Sequence, residues 1–143
     1  MQRGVNELLT KEQLAEEFIM LFPDYKADYD KHLSDYSTLL GHVFFGDAID
    51  GPLTTLLKSN HDKETIKKYV SFIEHMFVHG NDDVKNIVVV TILEYLGDDD
   101  TVLKNAFSYF SDELIEASKE IEACLCRRDI TISHKDGKTI TSW

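Results

Sequence analysis

Cysteine is almost absent from this sequence, with two in 143 residues, and proline is as rare. Cys124 and Cys126 are one residue apart. That is too few for a disulfide framework and supplies only two of the four ligands of a structural zinc. The two cannot share one helix face, so one is expected in the core and the other at its edge. Pro23 and Pro52 read as punctuation between elements. No apolar run approaches the ~18 residues of a membrane span. The start, "MQRGVNELLTKEQLAEEF", is interrupted by charge and has no secretory-signal core, so a cytoplasmic protein is expected. Positive charge is scarce too. Fifteen Lys and Arg stand against 26 Asp and Glu, for a net charge of −11. Such a surface repels nucleic acid and anionic membranes and suits a basic protein partner; the same acidity also serves solubility.

What remains is a folded chain of one domain, 43% hydrophobic and 29% charged. Its most ambiguous stretch is "NDDVKNIVVVTILEYLGDDD" (81–100), where a β-branched run could pass for a buried strand. Length decides for a helix. Val84 to Leu96 is too long for an ordinary strand, contains no Gly or Pro, and is framed by Asn81-Asp82-Asp83 as cap and Gly97 as C′ glycine. Apolar residues surround this helix except at Lys85, Thr91 and the strip Asn86, Val90, Glu94. It is expected at the centre of the fold, with Glu94 where the strip reaches solvent or a donor.

The flanks read the same way. Thr10 with Gln13 forms a capping signature, Asp62 caps a helix to His79 that Gly80 ends, and Ser111 caps another with Asp112 and Glu113 in its first turn. Asp24–Leu33, 37–45 and Thr101–Phe110 suggest further helices. "FFGDAIDG" reads as a break before a short helix from Pro52 to Lys58. The expectation is a mostly α single domain of about seven stacked helices, HEAT- or armadillo-like, over 1–128. A C-terminal β-hairpin at 129–143 packs on it. In "DITISHKDGKTITSW" a three-residue loop, Lys135-Asp136-Gly137, places Ile132 opposite Ile140 and keeps the two faces distinct. A lone hairpin is marginal, so it must pack on the helices or on a second copy, which makes a homo-oligomer through the hairpin one reading.

Chemistry-bearing motifs are few. No Gly-rich phosphate loop and no G-x-S-x-G occurs. In "EHMFVHG", His75 and His79 are four apart on one helix and could meet a metal, with His61 or Asp62 as a third ligand. The plainer reading places them on the solvated side of an amphipathic helix. Asp98-Asp99-Asp100 lacks the spacing that wraps calcium and suits a capped turn. Tyr25, Tyr29, Tyr36, Phe44 and Phe45 are dense; core is the plain reading, and an exposed Tyr pair beside acids would make an interface hot spot.

"STLLGHVFFGDAIDGPLTTLL" and "VKNIVVVTILEYLG" together resemble a group of small bacterial helical proteins of unknown function. In that group an apolar helix ending in Glu-x-Leu follows an acidic turn, and some members look like immunity proteins that neutralise a toxin domain. The resemblance spans 36–109, matches at Asn86, Glu94, Leu96 and Asp47, leaves the hairpin outside it, and brings no catalytic residues. It implies a non-enzymatic binding protein without a cofactor. Together with the net charge it suggests occlusion of a basic toxin domain in the same cell, through Glu94, Asp98, Asp99, Asp100, Asp47 and Asp50. A metal-dependent enzyme on His75 and His79 is the alternative.

Overall fold

The computed structural model describes residues 7–135 and 138–143. Among the described residues, seven helices follow one another. They are α1 (Lys11–Leu21), α2 (Lys26–Tyr36, entered by a 3-10 turn at Pro23–Tyr25), α3 (41–59), α4 (Lys63–His79), α5 (82–96), α6 (Asp100–Phe107) and α7 (Asp112–Cys124). Two short strands follow, β1 (Thr131–Lys135) and β2 (Lys138–Ser142), paired antiparallel.

Side chains close the helix starts. Thr10 and Gln13 form a reciprocal capping box on α1, and Asp62, Asn81, Asp99 and Ser111 each accept the backbone N–H three residues on. Each satisfies a donor that the helix itself leaves unpaired.

The β-branched run is helical. Its seven residues, Ile87–Leu93, form a widened π turn inside α5, where the Glu94 N–H donates to the Val89 carbonyl. Val84, Ile87, Val88, Ile92, Leu93 and Leu96 are buried, whereas Val90 is 48% exposed on the strip read from the sequence. α5 packs against α3, α4, α6 and α7, so it is the central helix.

The break expected between Phe45 and Pro52 is absent. α3 runs through it, as an α segment (Gly41–Phe45), a π turn (Gly46–Asp50) and a second α segment (Gly51–Ser59). The Pro52 ring would crowd the carbonyl of Ala48 four residues back. Opening the turn just before the ring relieves that crowding, and the helix continues. The two widened turns pack on each other. A Cβ at Gly46 would lie 3.3 Å from the Thr91 methyl, and one at Gly41 would collide with Ile87. These two glycines let α3 and α5 approach closely.

Gly97 also differs from expectation. Its φ is −73°, not left-handed. It is glycine because a side chain there would strike Arg127 and Glu122.

One hydrophobic core runs from Leu9 and α1 to α7. Its aromatic end gathers Phe18, Phe22, Tyr25, Phe44, Phe45, Tyr69 and Phe72. Trp143 sets its ring edge-on to Phe107, under Lys104 and Arg128. The strand register departs from the expected one. Ile132 pairs with Thr141 and Ser133 with Ile140. Pairing thus continues to Lys135, the expected first residue of the loop, which lies opposite Lys138. The other two residues of the expected loop, Asp136 and Gly137, lie outside the described residues. A two-residue connection is the commonest hairpin link because its twist matches that of the paired strands. Both cysteines are exposed and free, so neither belongs to the core. Cys126 lies past the end of α7 with a φ of 56°, beyond the reach of helical spacing. No described helix is long and apolar enough to cross a membrane.

Candidate functional site

The face of α2 and its entering turn carries Tyr25, Asp28, Lys31, His32, Asp35 and Tyr36 at intervals of three and four residues, which is one side of a helix. Opposite, α3 presents Val43, Phe44, Asp47 and Ala48. Between them lies a cleft of about 410 Å³. Its floor is apolar and aromatic. Phe44 is buried, and the His32 ring sits 4.8 Å from Tyr36 and 5.8 Å from Phe44, centre to centre. Tyr36 is half exposed, and the Tyr25 hydroxyl lies 3.2 Å from that of Tyr69.

The rim is acidic. Three carboxylates, Asp28, Asp35 and Asp47, face one ammonium, that of Lys31. Lys31 donates to Asp35 at 2.6 Å, and that bond holds its pKa above the usual lysine value. Asp28 and Asp47 are exposed and, among the described residues, have neither a hydrogen bond nor an ion pair. His32 fastens the chain between the two helices. Ser37 turns in the left-handed region at φ 64°, and the Leu40 N–H donates to His32 Nε2 at 3.0 Å.

The acids expected to meet a partner have different surroundings. Asp47 belongs to the cleft. Asp50, one turn on, is 6% exposed, and its Oδ1 has no partner among the described residues. Burial, and then the Asp47 charge, push its carboxyl up to about 8. Asp98 and Asp100 lie at the α5–α6 turn and are held from within the molecule. Arg127 Nη1 donates to Asp98 at 2.7 Å, and Arg128 Nε to Asp100 at 2.9 Å. Asp99 accepts the Val102 N–H at 3.0 Å and lies 3.7 Å from Lys58 Nζ. The Val102 bond, and then the lysine, keep its pKa below the usual carboxylate value. Glu94 is partly buried, and its main-chain carbonyl accepts from Arg127. The structure therefore brings Glu94 and Asp98–Asp100 together at one turn and leaves Asp47 and Asp50 apart from them on α3.

At the centre of that turn sits Glu122, 1% exposed, whose carboxylate accepts from both arginines. Arg127 and Arg128 also donate to the carbonyls of Glu94 and Gly97, capping the C-terminal end of α5. The adjacent arginine pair in a chain this acidic was the available signal for this cluster. The cleft had a signal too. Asp28, His32, Asp35 and Tyr36 share a face, and only the apolar stripe Tyr25, Tyr29, Leu33 beside it stands out by hydropathy.

His75 and His79 have ring centres 5.1 Å apart, and His75 Nε2 lies 3.2 Å from Glu17. Asp62 caps the opposite end of α4, about 20 Å from His75 by helical rise. His61 precedes that cap. Among the described residues, no group of three or more His, Cys, Asp or Glu side chains is placed to hold a metal ion.

Residues 15–125 match the family described as domain of unknown function (DUF7674). No curated protein and no solved structure matches the chain.

Proposed function

The chain belongs to the family described as a domain of unknown function, DUF7674, and from that premise we propose that it is a non-enzymatic binding module whose α2–α3 cleft docks a basic segment of a partner protein. One observation carries this. Asp28 and Asp47 present uncompensated charge beside a half-exposed tyrosine and an apolar floor. Aromatic anchors in a concave site with a charged rim are what protein partners use as hot spots. The acids Asp98, Asp99 and Asp100 of the α5–α6 turn are instead each engaged by a cation, Arg127, Lys58 or Arg128. In its most specific form the partner is a toxin domain met in the cytoplasm, whose active site the module occludes. We read the succession of helices as a short HEAT-like stack that displays the cleft on one side.

The test is capture from host lysate by the tagged wild type, by Asp28→Asn/Asp47→Asn and by Asp98→Asn/Asp100→Asn. A basic protein retained at low salt by the wild type and by the second variant, but lost from the first, supports the proposal. Equal retention by the first variant overturns it.

A further inference from the structure

We infer that the α2–α3 cleft is an arginine pocket, which takes one arginine side chain of the partner between Asp28 and Asp47 and over the Tyr36 ring. The inference rests on the binding-module reading above and narrows it to one residue type.

The two free carboxylates stand on different helices, one on each wall of the cleft. A lysine ammonium is a compact, strongly hydrated point charge. A guanidinium is a planar fork of five donors that can serve two carboxylates at once, and it gives up water more readily. It also stacks on aromatic faces, and Tyr36 is the exposed ring of the cleft, 49% accessible and backed by His32. Lys31 has its own partner in Asp35, at 2.6 Å on the same helix.

A second observation points the same way. His32 is only 8% exposed, yet it lines the cleft, and its Nδ1 has no partner among the described residues. Its Nε2 is occupied as an acceptor by the Leu40 N–H. The neutral ring therefore carries its proton on Nδ1, a donor left over on a residue that lines the cleft. A guanidinium has no acceptor to receive it, but the main-chain carbonyl of the same arginine does. The cleft thus combines acceptors for the side chain with one donor for the backbone.

The test is titration of the ¹⁵N-labelled protein with three capped tripeptides, Gly-Arg-Gly, Gly-Lys-Gly and Gly-citrulline-Gly, followed by amide shifts of α2, Leu40 and α3. The arginine peptide should produce saturable shifts there. The lysine peptide should bind about tenfold more weakly, and citrulline, which lacks the charge, should not saturate. Asp28→Asn and Asp47→Asn, both on exposed residues, should each weaken the arginine peptide about tenfold, the loss of one charge-assisted pair. Equal binding of lysine and arginine overturns the arginine pocket and leaves the module reading standing. If no peptide binds while partner capture still depends on Asp28 and Asp47, the arginine inference alone falls. If capture is also indifferent to them, both fall.

Discussion

Asp50 ends the widened turn of α3 almost wholly buried, with its carboxyl pushed up to about 8 by burial and by Asp47. In the unfolded chain the same group ionises near 3.8. Between those values the unfolded state releases a proton that the folded state keeps, so folding stability falls as pH rises through this window. Asp50→Asn removes the penalty. Urea unfolding should show the variant gaining about 4 kcal/mol on the wild type between pH 5 and pH 8.5; parallel profiles would sink the argument. Gly80 is a second residue with little freedom. A Cβ there would run into the Met76 carbonyl and the Val84 side chain. Leu9 pins the backbone on both sides, donating to His79 at 2.9 Å and accepting from Asn81 at 2.8 Å. Gly80→Ala should lower the urea midpoint, at unchanged slope, by about 1–3 kcal/mol of stability. At this scale the sequence is legible for caps and unclear for Asp50, whose burial depends on a helix continuing where Gly46, Gly51 and Pro52 argue for a stop.

Two helices carry widened turns, and each answers a local conflict. α3 opens ahead of Pro52, and α5 opens within the β-branched run, where Gly41 and Gly46 of α3 make room for Ile87 and Thr91. Helix existence could be read from length and flanks; the π turns could not, because they depend on the partner helix. The end of α7 is the other element-level device. Arg127 is held charged chiefly by its hydrogen bond to Glu122. Burial works against the charge of Arg128, and the bonds to Asp100 and Glu122 outweigh it. Removing the shared carboxylate leaves each guanidinium with a single exposed anion, Asp98 or Asp100. Glu122→Ala should therefore cost about 1.5–3 kcal/mol in urea unfolding. Asp98→Asn, at an exposed pair, should cost no more than about 1 kcal/mol. Similar costs for the two would show that the buried glutamate is not the hub.

For the whole molecule, a net charge of −11 acts on folding and on binding with opposite signs. Salt shortens the screening length from about 30 Å at 0.01 M to about 8 Å at 0.15 M. It relieves self-repulsion in the compact state and weakens attraction to a basic partner. Thermal unfolding should therefore shift upward across that range, while retention of the captured partner falls. A partner that stays bound as firmly at the higher salt would not be held by the acidic rim.

The sequence by itself determined that the chain is mostly helical, that Thr10, Asp62, Asn81 and Ser111 begin helices, and that the run from Val84 to Leu96 is helical rather than a strand. Those features depend on periodicity and on hydrogen bonds spanning three or four residues, which a linear text contains in full. Tertiary structure alone decided which acids remain available. Asp98 and Asp100 are joined to arginines 29 and 28 residues away, Asp50 is buried by α3 running unbroken, and Asp28 and Asp47 meet only because α2 and α3 form two walls of one cleft. An ion pair or a cleft between distant segments has no local signature. Its energy depends on separation and burial in space, which the order of residues along the chain does not contain.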